Sequence, residues 1–156
     1  MLSKKLQPIF KTDNSCFADN QTVAQENGRK FTLVLSKGQK CCCIHVDNGL
    51  IKSMTMQKCD YWFHVSEKDD SEIKENHNIF VELKGQEVLK AYSQIISAIN
   101  WFKGKMELPQ AKRHAAIVAS KVPMTSTETQ KMKMDFKHKH GNRLEIKSRE
   151  MEFRLP

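Results

Sequence analysis

The chain has 156 residues and a net charge of +8, with a pI near 9.3. That length suits one domain around one buried core, and no apolar run approaches the roughly 20 residues needed to span a bilayer. The opening Met1-Leu2-Ser3-Lys4-Lys5 lacks the apolar stretch of a signal peptide, so a cytoplasmic protein with no membrane partner is expected, and its basic excess points toward phosphates.

Residues 1–28 hold Pro8, Asn14, Asn20, Asn27 and Gly28 with weak periodicity, which predicts an irregular arm or a short helix. Phe31–Leu35 reads as a strand, 36–39 as a turn and Lys40–Val46 as its partner. Asp47-Asn48-Gly49 is a strong turn signal. Two apolar runs follow, Tyr61–Val65 and Ile79–Leu83, separated by a polar stretch from Glu67 to Asn78; they predict a hairpin. From 87 to 103, Val88, Tyr92, Ile95, Ile96, Ile99 and Phe102 recur at helical spacing, one stripe of a helix packed on a sheet, and Gly104 ends it. Ala115–Ala119 predicts a buried strand. Thr125 and Glu128 fit a capping box opening a helix that runs to His140, with Gly141 as its stop. Leu144–Ile146 and Met151–Leu155 offer terminal strands. The sum is an α/β chain with a mixed central sheet flanked by helices and one βαβ unit around 79–119.

The second run of the hairpin ends Glu82-Leu83-Lys84-Gly85. Strand side chains alternate faces, so an acid and an amine two positions apart point to the same side. Asp60 opens the first run, at the end that an antiparallel pairing brings beside Glu82. Two carboxylates suit a hard divalent cation such as Mg²⁺ or Mn²⁺, which keeps waters and takes further oxygens from a phosphate. A lysine beside them can orient an attacking water. This is equipment for metal-assisted phosphodiester hydrolysis; the competing reading is a solvated edge-strand pair with Asp60 in a turn.

Asp60, then Glu82-Leu83-Lys84 about twenty residues on, resembles the PD-(D/E)XK nuclease superfamily, the restriction-endonuclease-like fold. The resemblance covers roughly residues 31–120. It implies a single nuclease-like domain over 1–156, metal held by Asp60 and Glu82, and Asp60, Glu82 and Lys84 as catalytic residues. It also implies a glutamine on the following helix, for which Gln94 is the match. Cys59 departs from the pattern, standing where the family often has proline. The implied activity is a Mg²⁺-dependent nuclease, foremost a DNA endonuclease, acting as a homodimer. The alternative is a non-catalytic module that keeps the fold and binds nucleic acid or protein.

Charge in the last third is concentrated in Lys131, Lys133, Lys137 and Lys139, extended by Arg143, Lys147, Arg149 and Arg154. Lys131, Lys133, Lys137 and Arg143, with Lys121 just past the predicted strand, are candidate phosphate contacts; a solvated face is the plain alternative. Such contacts read the backbone and not the sequence. Cys41, Cys43 and His45 would share a strand face, and with Cys59 from a neighbouring strand could make a Cys₃His zinc site, or simply be core residues. Trp62 and Trp101 are core candidates with base stacking as the other option. His64 alternates with Trp62 and Asp60. Asp47 is either a turn residue or a further acid near the metal. No glycine-rich phosphate loop is present, which argues against nucleoside-triphosphate chemistry.

Overall fold

The computed structural model describes residues 1–11, 14–53, 55–67, 72–84, 87–122 and 124–156, without the side chains of Asn14 and Lys84. Its centre is the expected hairpin. Strands β5 (Tyr61–Ser66) and β6 (His77–Lys84) pair antiparallel, with Tyr61 opposite Val81 and Trp62 opposite Phe80. Helix α2 (Val88–Lys103) then crosses over to β7 (Arg113–Ala119), which lies parallel to β6. All seven residues of β7 are buried, as a central parallel strand covered on both faces requires. Helix α3 (Ser126–Lys139) leads to β8 (Arg143–Ser148), again parallel. It opens with the expected capping box: the Glu128 amide donates to Thr125 Oγ1 at 3.1 Å, and the Thr125 amide donates to Glu128 Oε2 at 2.9 Å.

On the other side of β5 lie β4 (Lys40–His45) and β1 (Phe17–Asp19), both antiparallel additions. The result is a six-stranded mixed sheet ordered β1-β4-β5-β6-β7-β8. A second sheet joins β2 (Val23–Glu26), β3 (Arg29–Val34) and β9 (Glu150–Arg154), with β3 and β9 parallel.

The two faces of the large sheet are covered differently. Leu2 and Leu6 of helix α1 (Leu2–Phe10), Ile95 and Phe102 of α2, and Met132 and Phe136 of α3 pack with Trp62, Phe80, Ala115 and Ile117. Phe31, Leu33, Met151 and Phe153 of the small sheet pack with Phe63, Ile79, Val81 and Val118 on the opposite face. Among the described residues the sheet is therefore flanked by helices on one side and by the small sheet on the other.

Residues 1–28 are more ordered than an irregular arm: α1, β1 and β2 all fall within them. Helix α1 docks through Phe10, whose ring lies 5.6 Å from Trp62 and 5.9 Å from Trp101. The Ser3 amide and hydroxyl both donate to the Asp19 carboxylate. Among the described residues, no helix is long and apolar enough to cross a membrane.

Three further expectations change. Asn78 belongs to β6, not to the polar turn, and it is fully buried. The strand at Phe31–Leu35 does not pair with Lys40–Val46: β3 joins β2 and β9, while β4 joins β1 and β5. Trp62, fully buried between Phe80 and Phe102, keeps its core reading. Gly141 does not follow α3 as a left-handed cap; a side chain there would meet the Phe136 ring at 2.4 Å and the Arg113 carbonyl at 2.7 Å. Close approach excludes a Cβ at that position.

Candidate functional site

The β5–β6 ladder ends with Tyr61 opposite Val81. Asp60 follows just outside it, its amide donating to the Val81 carbonyl at 3.1 Å, one residue before Glu82. The Leu83 amide donates to Asp60 Oδ2 at 2.8 Å. Burial holds the Asp60 carboxyl above its ordinary range, despite the Leu83 bond and the neighbouring Glu82 side chain, which both act to lower it. Glu82 is 1 % exposed. Phe80 faces the helices whereas Ile79, Val81 and Leu83 face the small sheet, so strand alternation turns Glu82 toward the helices. Asp60 lies one residue outside β5, where the alternation breaks because Cys59 as well as Trp62 packs with the helices. Its bond from the Leu83 amide places its carboxyl at the carboxyl end of β6.

Helix α2 contributes a polar group there. Gln94 Nε2 donates to the Lys58 carbonyl at 3.3 Å, and its Oε1 is buried with no hydrogen bond among the described residues. One turn face away, Ser93 Oγ donates to Gln57 Oε1 at 2.8 Å. The glutamine expected on this helix therefore meets the segment that leads into Asp60.

Sequence reasoning gave no role to Lys58, which is buried just before the pair. Its ammonium donates to the carbonyls of Ser53 and Met56 and lies 3.6 Å from Asp47 Oδ1. A lysine two residues before the acid was the available signal. Asp47 does form the expected turn, with Asn48 in the left-handed region at φ 60°. Its charge also reaches Asp60, as does that of Glu26 at the end of β2, and both push the Asp60 carboxyl further up. Tyr61 Oη donates to Glu26 Oε1 at 3.4 Å.

Lys84 closes β6, its backbone paired with Ala119; its side chain, and Gly85 with it, lie outside the described residues. Lys121 is exposed two residues past the end of β7, on the same rim of the sheet. The other basic candidates sit elsewhere. Lys131 and Lys137 are exposed and Lys133 half-buried along α3. Arg143 starts β8 at the opposite rim, beside His114. Its guanidinium lies 4.2 Å from the Phe153 ring and 3.7 Å from Glu145, and donates to the Arg154 carbonyl.

The zinc option does not assemble. Cys41 and Cys43 pack toward the small sheet, Cys59 packs toward the helices, and His45 is exposed. Burial pushes the thiols up, Cys41 to about 11 and Cys43 to about 12, away from the thiolate a metal requires. Cys41 Sγ instead donates to the Gln21 carbonyl at 3.2 Å.

No family model, curated protein or solved structure matches the chain, so the chemistry must be argued from its own residues. Two carboxyls in contact cannot both ionise without a compensating cation. Neighbouring carboxyls such as the half-buried Asp60 and the buried Glu82 favour one retained proton, which a divalent ion can replace. Among the described residues no cluster of three or more His, Cys, Asp or Glu side chains forms a metal cage. A cation here would therefore take two protein carboxylates and fill its shell with water and substrate oxygens, which is the habit of Mg²⁺.

Proposed function

We propose that the chain is a metal-dependent nuclease of the PD-(D/E)XK kind, hydrolysing phosphodiester bonds in DNA. The observation that carries this reading is the buried Glu82 next to the Leu83 amide that donates to Asp60 Oδ2, on a strand that ends in Lys84. Support comes also from the mixed sheet with its β6–α2–β7 crossover, and from Gln94 reaching back to the Lys58 carbonyl.

Asp60 and Glu82 would hold Mg²⁺ or Mn²⁺, which supplies Lewis acidity at the scissile phosphate and a more acidic water. The Leu83 amide keeps Asp60 oriented, because its bond to Oδ2 leaves the other oxygen for a cation. Lys84 positions the attacking water and stabilises charge that builds on the phosphoryl oxygens. Gln94 orders the strand entry through Lys58 and offers Oε1 to a water. Cleavage of both strands would take two copies about a two-fold axis, the commonest symmetry of soluble oligomers.

The test is incubation with plasmid, linear, branched and single-stranded DNA, and with RNA, in Mg²⁺ or Mn²⁺ and in chelator. Metal-dependent product from any DNA substrate is the expected result. No cleavage of any substrate, from protein whose melting still responds to the metal, would leave a non-catalytic binding module. Light scattering of the active preparation tests the homodimer.

A further inference from the structure

Three distant parts of the sequence meet at the rim of the sheet beside Lys84. Arg29 begins β3, Ser120 and Lys121 follow β7, and Arg149 forms the tight turn between β8 and β9 with φ 66°. Arg29 Nη1 donates to Ser120 Oγ at 3.0 Å. The Arg149 amide donates to the Ala119 carbonyl at 2.7 Å, and the Lys30 amide donates to the Arg149 carbonyl at 2.8 Å. These bonds bring the start of β3, the end of β7 and the β8–β9 turn together, with Lys121 next to Ser120.

Among the described residues, no carboxylate pairs with Arg29, Lys121 or Arg149, as with Lys131, Lys133 and Lys137 of α3, whereas Lys58, Lys90, Lys139 and Arg143 each have an acidic neighbour. Arg29 Nε is buried with no acceptor. Uncompensated charge gathered this tightly attracts an anion. We propose that Arg29, Lys121 and Arg149 form a phosphate track that holds the backbone of the nucleic-acid strand entering the Asp60–Glu82 site; the proposal deepens the nuclease reading and rests on its choice of substrate.

Register sets the scale. Glu82 pairs with Ile117, three residues before Ser120. At about 3.3 Å per residue and about 4.8 Å between strands, the two backbones lie about 11 Å apart. That matches about three nucleotides at 3.4 Å of axial rise each. The basic run on α3 fits less well. Gln110, which precedes β7, donates to the carbonyls of Lys137 and His138 at 3.2 and 3.3 Å, so that end of α3 sits at the opposite rim, about 20 Å away along β7.

The experiment measures binding of a fluorescein-labelled DNA duplex, and of one of its strands, by anisotropy across a salt series in chelator. Cleavage is thereby removed from the readout. The variant R29Q/K121Q/R149Q should bind at least about tenfold more weakly near 0.1 M salt and lose about 2–3 from the slope of log K against log salt, about 0.9 per phosphate contact. K131Q/K133Q/K137Q should stay within about threefold of the parent. Arg29→Gln keeps a donor for Ser120; if the triple variant nevertheless melts early, Lys121→Glu against Lys131→Glu asks the same question at two exposed positions. Equal losses in the two sets, a larger loss from the α3 set, or no DNA binding by the parent would overturn the track. Binding that depends on the rim from a protein that cuts nothing would remove the nuclease reading and keep the track. Unimpaired binding and cutting by the rim variant would do the reverse.

Discussion

The Leu83 amide donates to Asp60 Oδ2 at 2.8 Å, which ties Asp60 to β6 one residue past the buried Glu82. Burial raises the Asp60 pKa, so the folded protein holds a proton there that the unfolded chain releases near its ordinary value of about 3.9. A raised acid contributes stability that is complete below the unfolded value and is lost as pH climbs through the folded one. Melting followed against pH should therefore show a loss in the parent that Asp60→Asn lacks. Above that window the pair should take a divalent ion. Saturating Mg²⁺ at about 100 times its Kd should add about 2.7 kcal/mol to the parent and nothing to Asp60→Asn. Identical metal responses from the two proteins would remove the ion from this site.

Catalysis separates from binding if the site is correctly drawn. Asp60→Ala, Glu82→Ala and Lys84→Ala should each slow single-turnover cleavage by at least about a hundredfold, the usual cost of losing a group that acts on the transition state. DNA affinity in chelator should stay within about threefold, since phosphate contacts elsewhere supply it. Gln94→Ala should slow cleavage less than the acids do, because it works through the Lys58 carbonyl. A Lys84→Ala protein that cuts as fast as the parent would refute the assignment.

The hairpin, α2, β7 and the α3 capping box were legible because each is a local pattern: alternation, helical spacing, or a fixed Thr-to-Glu offset. The small sheet was not. Its strands β3 and β9 pair in parallel across more than a hundred residues, and nothing in either sequence names the partner. Lys121 was legible as a candidate phosphate contact, but its grouping with Arg29 and Arg149 was not, since residues 29, 121 and 149 become neighbours only through the sheet. Asn76 and Asn78 read as turn residues because they are polar; their burial follows from partners that sequence does not display. Leu2, Leu6 and Phe10 sit at helical spacing and make the short helix that was one of two options for residues 1–28; Pro8 and the flanking lysines kept the irregular arm open beside it.

Those partners make His64 a pH sensor of stability. Asn78 Oδ1 accepts from Trp62 Nε1 at 2.9 Å and must also accept from His64 Nδ1 at 2.7 Å. His64 Nε2 is then left to accept from Asn76 Nδ2 at 3.0 Å. This fixes the neutral Nδ1–H tautomer, and burial pushes the imidazole down to about 4. A depressed histidine costs stability as pH falls from about 6.5, where the unfolded chain begins to take up the proton, toward 4. The full effect is about 3 kcal/mol at 1.36 kcal/mol per pKa unit. His77 and His114, also depressed and 2.9 Å apart, add to the same acid loss. His64→Gln should be less stable than the parent at pH 7 but flatter between pH 6.5 and 4, read by denaturant titration at each pH. An unchanged slope would mean that His64 does not carry its share.

The two glycines that follow helices should respond oppositely to alanine. Gly104 has ordinary right-handed dihedrals, φ −76° and ψ −11°, and an added Cβ meets only the Trp101 carbonyl at 3.4 Å. Gly104→Ala should be neutral or stabilise by up to about 1 kcal/mol, through lower entropy of the unfolded chain. Gly141 has no such room. A Cβ would press on the Phe136 ring and on the Arg113 carbonyl, and Phe136 is a fully buried member of the helical core. Its ring cannot retreat without disturbing Tyr92, 6.4 Å away centroid to centroid. Gly141→Ala should cost about 1–3 kcal/mol, the range for overpacking a filled core, and a denaturant midpoint equal to that of the parent would show that α3 and β8 separate more easily than this packing requires.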